Sequence, residues 1–276
     1  MTRPRVVCGI QARLSSTRLP GKVLADLAGE PLILRVVERV RRAERVDETF
    51  VLTSDDASDD ALAELLLARG VPVRRGPLLD VYARYAALLA ECDPDCVVRV
   101  TGDCPLVEPA FIDLQLAALA AHDADLAVDE GGGIEGTLGG QTAISARALR
   151  GVAASRDARD REHVGSFWLT ERRAELRCVG LSVDDAYRRP ELRLQVDEPA
   201  DLLRMRAIYA HFLGGQFGVL DVLRWLDLNP AVRRWARRAR LSALSVTPRL
   251  RSRTAGLRSS QRSSSSTPNC PPKKCA

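Results

Sequence analysis

Apolar positions fall along this chain in short runs that alternate with helical spacing. Arg5 to Ala12 (RVVCGIQA) is a compact apolar run and predicts a buried strand. Pro31 stands where a helix can begin, and Leu32, Ile33, Val36, Val37 and Val40 then recur at helical spacing. A strand over Thr49–Thr53, a helix over Asp59–Arg69 closed by Gly70, and a short strand over Val71–Arg74 continue the pattern. Next come a helix over Val81–Ala90, a strand over Cys96–Thr101, a helix over Glu108–His122 and a strand over Ala124–Val128. Such alternation implies βαβ units, a mostly parallel sheet and helices on both faces.

The rhythm breaks after Asp129. GGGIEGTLGG reads as a glycine-rich loop, and Thr142–Ser145 as a strand of mixed direction. Arg161–Arg173 predicts a helix, Leu192–Val196 a strand, and Pro199 to about Phe212 a helix. Leu220–Leu226 and Ala231–Leu241 look like terminal helices. From Ser242 the composition turns to Ser, Arg and Pro, which bury too little to order themselves. The expected organisation is one domain over residues 1–241 and a disordered tail over 242–276.

Composition changes this picture little. At 46 % hydrophobic and 4 % aromatic, the core must be filled mainly by Leu, Val and Ala. The start lacks a signal-peptide pattern, and no segment is apolar for long enough to span a bilayer, so a cytoplasmic protein is expected. Cys8, Cys92, Cys96, Cys104 and Cys178 sit in or beside apolar runs and read as small buried hydrophobes, while Cys270 and Cys275 fall in the tail. The absence of a Cys-x-x-Cys pair argues against structural zinc.

Charge changes it more. The net +5 hides an asymmetry: from Ala231 onward there are twelve basic residues and no acidic one. Residues 1–230 carry 29 basic and 36 acidic side chains, a balance of −7. An acidic domain offers no basic face for nucleic acid, so specific nucleic-acid binding is not expected.

The densest chemistry lies in Ile10–Lys22 (IQARLSSTRLPGK), where the first strand ends. Ligands of open α/β sheets bind beyond the carboxyl ends of strands. Arg13, Arg18 and Lys22, with Ser15, Ser16 and Thr17 between them, offer the cations and small donors that a triphosphate requires. Neither the Walker order nor G-x-G-x-x-G is present, and a basic surface loop is the competing reading. Asp103 follows the Cys96–Thr101 strand at a turn set by Pro105. It reads either as a turn former or as a Mg²⁺ ligand. Asp197 reads either as a helix start before Pro199 or as the second carboxylate of that ion. Arg75, Asp80 and Arg84 frame a base or ribose, or form a solvated helix face. His163 stands at helical spacing from Phe167, which suits a packed residue as well as a base.

These stretches together carry a resemblance. Ile10-Gln11-Ala12-Arg13 with Ser16-Thr17-Arg18-Leu19-Pro20-Gly21-Lys22 resembles the signature loop of the cytidylyltransferases that make CMP-activated acidic sugars. The resemblance is to the spore coat polysaccharide biosynthesis protein F branch, related to CMP-KDO synthetase. Thr53-Ser54-Asp55 with Asp59-Asp60, Arg75-Gly76 with Asp80-Val81-Tyr82-Ala83-Arg84-Tyr85, and Thr101-Gly102-Asp103-Cys104-Pro105-Leu106 follow in the same order. So do Arg161-Glu162-His163-Val164 and Leu194-Gln195-Val196-Asp197-Glu198-Pro199.

The resemblance implies a Rossmann-like nucleotide-diphospho-sugar transferase sandwich, an α/β fold. It also implies transfer of CMP from CTP to a sugar for surface polysaccharide or glycoconjugate synthesis, with Mg²⁺ as cofactor. Arg13 and Lys22 would act on the triphosphate. Ile10, Ala12, Ser16, Arg18, Arg75, Asp80 and Arg84 would complete the nucleotide site, and Asp103 and Asp197 would hold the metal. CTP and a sugar are the expected partners, with a homodimer as a further expectation. Two positions depart from the family pattern. Gly139-Gly140-Gln141-Thr142 lacks the acidic residues usual there, and Pro77 replaces a usual Ser. A glycosyltransferase of the same fold is the alternative enzyme, with Asp123-Ala124-Asp125 as its candidate Asp-x-Asp. That motif precedes its strand instead of following it.

Overall fold

In a computed structural model, residues 3–234 are described. The first half follows the alternation read from the sequence, apart from two short strands that were not expected, the second and third of the series: β1 (Val6–Gln11), β2 (Asp26–Leu27), β3 (Glu30–Pro31), α1 (Leu32–Val40), β4 (Glu48–Ser54), α2 (Asp60–Ala68), β5 (Val73–Gly76), α3 (Val81–Cys92), β6 (Cys96–Thr101) and α4 (Pro109–His122). The second half contains β7 (Leu126–Asp129), β8 (Gln141–Ser145), α5 (Ala146–Gly151), α6 (Ala158–His163), α7 (Ser166–Glu171), β9 (Cys178–Leu181), α8 (Pro199–His211), α9 (Val219–Leu228) and α10 (Pro230–Arg234). The strands β2 and β3 form a separate small hairpin.

The main sheet has seven strands in the order β5-β4-β1-β6-β8-β7-β9. Every neighbouring pair is parallel except those made by β8, which runs against both β6 and β7. Alternate residues of each strand feed two cores. Val6, Cys8, Ile10, Val51, Val98 and Val100 pack with Leu32, Ile33, Leu62, Ile112 and Met205 on one face. Val7, Phe50, Leu52, Val97 and Ile144 pack with Tyr82, Tyr85, Leu88 and Leu149 on the other. This is the two-faced burial that a central parallel strand demands.

The topology creates a crevice. From β1 the chain builds outward through β4 to β5, then returns to place β6 on the other side of β1. The loops leaving β1 and β6 therefore diverge, which is the switch point where such sheets bind ligands. Gly102 holds the second loop close: its N–H donates to Gln11 O at 2.8 Å, and a Cβ there would come within 2.9 Å of that same oxygen.

Three expectations need correction. Leu192–Val196 is not a strand. Its side chains alternate as a strand's would, with Leu192, Leu194 and Val196 buried, but its N–H groups bond singly, Leu194 to Gly136 O and Val196 to Asp103 O. Both acceptors lie in loops, so the segment joins no ladder. The single helix over Arg161–Arg173 is instead two short ones, because Val164 and Gly165 adopt left-handed conformations (φ 55° and 76°). Asp160 secures the break by accepting from the N–H groups of Phe167 and Trp168, both at 3.0 Å. Finally, Cys178 is exposed on the edge strand β9 and Cys96 is half-buried, whereas Cys8, Cys92 and Cys104 are buried as expected. The tail, Cys270, Cys275 and most of the last expected helix lie outside the described residues.

Candidate active site

The crevice between β1 and β6 opens into a cleft of about 400 Å³. The loop after β1 forms one side. It is closed by Gly21 N–H on Leu14 O (3.0 Å) and tied to the next βα unit by Leu14 N–H on the buried carboxylate of Asp59 (2.7 Å). Asp59 also accepts from Ser54 N–H at the end of β4, so one carboxylate fixes both loops. In the sequence Asp59 opens the expected helix and belongs to the stretch Thr53-Ser54-Asp55 with Asp59-Asp60 that carries the resemblance; its tie to the β1 loop has no local signal.

At the centre of the cleft, Lys22 is buried at 8 % exposure. Its Nζ donates to Asp103 Oδ2 at 2.6 Å, Asp197 Oδ1 at 2.9 Å and Val196 O at 2.8 Å. Three residues distant in sequence thus converge on one ammonium. Arg18 approaches the same Asp197 oxygen at 2.8 Å, and Arg193 contacts the other. Burial by itself would raise the Asp197 pKa, but the hydrogen bond from Lys22 and the charges of Lys22, Arg193 and Arg18 hold its carboxyl below the ordinary value. Asp197 serves the helix as well: its N–H donates to Asp201 Oδ2 at 3.0 Å, at the start of α8.

The expected site residues divide by location. Ala12, Arg13, Ser16, Arg18, Lys22, Arg84, Asp103 and Asp197 line the cleft together. The Ile10 side chain does not, being fully buried in the core. Arg75 points away and binds Asp60 (2.6 Å) and the carbonyls of Ser54 and Asp56. Asp80 caps α3 by accepting from Ala83 N–H at 2.8 Å, with Arg161 3.8 Å away. Arg84 is buried with its guanidinium on the carbonyls of Pro77 and Leu78. Glu162 and His163 stand exposed at the cleft from α6, Glu162 3.4 Å from Arg13 and His163 against Phe167. Arg99 also lines the cleft and was not singled out from the sequence. A charged residue inside the apolar run CVVRVT was the available signal.

Cations outnumber carboxylates here: Arg13, Arg18, Lys22, Arg84 and Arg99 face Asp103, Glu162 and Asp197. An anionic ligand is favoured in such a cleft. The two aspartates also suit a divalent cation, since Mg²⁺ takes one or two carboxylates plus phosphate oxygens. One positive centre, the Lys22 ammonium, already lies within 3 Å of an oxygen from each. Among the described residues no group of three or more His, Cys, Asp or Glu forms a complete protein cage for a metal.

Solved structures give the fold. The fold matches a cytidylyltransferase from Leptospira borgpetersenii with a TM-score of 0.77 at 24 % identity, covering 83 % of this chain and 97 % of that one. It also matches a CMP:2-keto-3-deoxy-manno-octonic acid synthetase complexed with CTP, with a TM-score of 0.58 at 19 % identity, over 76 % of this chain and all of the other. The fold is therefore the Rossmann-like nucleotidyltransferase fold. Residues 7–160 match the cytidylyltransferase family model, and the chain belongs to that family. The spore coat polysaccharide biosynthesis protein SpsF of Bacillus subtilis is 30 % identical over 208 residues, covering 72 % of this chain and 84 % of that protein. The 3-deoxy-manno-octulosonate cytidylyltransferase of Anaeromyxobacter dehalogenans is 45 % identical, but over only 114 residues, or 40 % of this chain and 46 % of that enzyme. No described helix is long and apolar enough to cross a membrane.

Proposed function

We propose that this cytidylyltransferase transfers CMP from CTP to a hydroxyl of an acidic sugar, in the cleft between β1 and β6, with Mg²⁺ as cofactor. The sugar oxygen attacks the α-phosphorus, the bond to pyrophosphate breaks, and the hydroxyl proton leaves to solvent or a nearby base. The observation that carries the reading is the convergence of Lys22, Asp103 and Asp197, edged by Arg18, at the switch point of the sheet. Two relatives support the acceptor class, one named for polysaccharide synthesis and one for a sugar acid.

Asp103 and Asp197 would hold the metal, which when bound neutralises phosphate charge and acidifies a hydroxyl. The other residues position and neutralise. Arg13, Ser16 and Arg18 on the β1 loop would grip the triphosphate, joined by Lys22 once its ammonium leaves the two aspartates. Ala12 leaves room for close approach of the nucleotide. Catalysis on this plan is orientation plus electrostatics.

The glycosyltransferase alternative has less support. Asp125 is buried, accepts from Ser145 Oγ at 2.5 Å and also contacts Arg147, so it is engaged in holding β7 to β8. The deciding experiment is pyrophosphate release from each nucleoside triphosphate against a panel of acidic and neutral sugars. Release with CTP and an acidic sugar is expected, and consumption of a nucleotide sugar without pyrophosphate would overturn the reading.

A further inference from the structure

The cations of the cleft differ in what holds them. Carboxylates engage Lys22, Arg18 and Arg13, and main-chain carbonyls engage Arg84. Arg99 is otherwise. Among the described residues its guanidinium makes one hydrogen bond, from Nε to Gln11 Oε1 at 3.1 Å, and no ion pair. Neither Nη group has a protein acceptor there, although the side chain is half-buried and lines the cleft.

The surroundings fix this guanidinium without neutralising it. On β6, Arg99 lies beside Gly9 of β1 and opposite Thr142 of β8, so no acidic side chain flanks it from either strand. Gly9 contributes no side chain, and the ring of Tyr85 fills that place: a Cβ on Gly9 would come within 2.7 Å of it. The Tyr85 hydroxyl locks the arrangement by donating to Gly9 O at 2.7 Å. A guanidinium anchored at Nε presents its two Nη groups as a planar fork, which matches a carboxylate or phosphate in bidentate fashion. A half-buried cation with no internal counter-charge gains its partner from the ligand.

We infer that Arg99 is the specificity residue for the acceptor, its Nη fork binding the carboxylate of the acidic sugar. The inference rests on the acceptor class proposed above. The competing anion is the triphosphate of CTP, but its cations stand elsewhere. Lys22 sits by Val23, Cys104 and Val196 of the first core. Arg99 projects from the other face of β6, the face of Val97 and the second core, towards α3.

The test is initial-rate kinetics of wild type, Arg99→Met and Arg99→Lys, with CTP and a panel of sugar acids, each beside its carboxamide. With Arg99→Met the KM for the acid should rise roughly ten- to hundredfold, the loss expected for a charged hydrogen bond. The KM for CTP and the KM for the carboxamide should stay within about twofold of wild type. Arg99→Lys should recover part of the affinity, which a merely structural role would not require. A raised KM for CTP with an unchanged acceptor KM would assign Arg99 to phosphate and overturn the inference, as would no change in either. A wild type that consumes only neutral sugars would overturn the acceptor class itself, a failure told apart because it appears before any variant is made.

Discussion

Two walls of one cleft use the same side chains in opposite ways. On the wall beside the first core, Lys22, Arg18 and Arg193 converge on Asp103 and Asp197, so the charges are already paired within the protein. On the wall beside the second core, Arg99 is anchored at a single nitrogen and left without a carboxylate. A paired wall must rearrange when a ligand arrives, since each new contact replaces an existing one. An open wall is organised in advance and gives up no protein contact on binding. On the function proposed above, the walls would take different tasks: exchange of cations and phosphates on the first, recognition of a fixed anion on the second.

Breaking the paired wall should have the largest effect. Asp103 is only partly exposed, yet it packs no core, so Asp103→Ala is expected to leave the melting temperature close to wild type. Turnover, followed by pyrophosphate release at saturating magnesium, should fall by roughly 10²–10³-fold. Near-normal turnover would reduce Asp103 to a turn former.

Lys22→Met sharpens the comparison, because it should move two affinities in opposite directions. Removing the cation is expected to weaken binding of CTP with Mg²⁺ by about ten- to hundredfold in calorimetry. The same change removes the one cation that bridges both aspartates, so Mn²⁺ without nucleotide, measured by electron paramagnetic resonance, should bind more tightly than to wild type. Unchanged Mn²⁺ affinity would show that the ammonium does not compete for those carboxylates.

A smaller effect concerns pH. The Asp197 carboxyl is held below its unfolded value of about 3.9 by its cationic neighbours. A group depressed on folding adds stability above the unfolded value and loses it as pH falls through the folded one. The gap in melting temperature between wild type and Asp197→Asn should therefore be constant above about pH 5 and close below about pH 4. A gap that widens on acidification would contradict the direction of the shift.

The smallest effect is expected outside the cleft. Residues after Leu241 carry Ser, Arg and Pro without apolar periodicity. On that composition, truncation there should leave melting temperature and specific activity nearly unchanged. A truncated chain that fails to fold would place the domain boundary further on.

The first half of the fold was legible because its signals are local. A strand such as Cys96–Thr101 is a continuous apolar run bounded by turn chemistry, and the sequence places its limits where the structure does. The second half was less so. Leu192–Val196 has the alternation of a strand, but whether it joins a ladder depends on which backbone packs beside it, here the loop carbonyls of Gly136 and Asp103, and periodicity cannot report that. The break at Val164 and Gly165 depends on Asp160 reaching across to the next helix.

The candidate site divides in the same way. The sequence by itself determined which loops carry the chemistry, since motifs such as IQARLSSTRLPGK and TGDCPL are contiguous and follow strands whose ends face a ligand. It also determined the residue types offered there: cations, small donors and two carboxylates. Only the tertiary structure decided their partners. Lys22 meets Asp103 across 81 residues of chain and Asp197 across 175, and nothing in the spacing of the motifs says that all three share one hydrogen-bonded centre. Tertiary packing likewise turned Arg75 away towards Asp60 and left Arg99 open on the second wall. The physical reason is range. Burial patterns and turn chemistry act over a few residues, whereas a charge takes the partner that packing brings within 3 Å, wherever it lies in the chain.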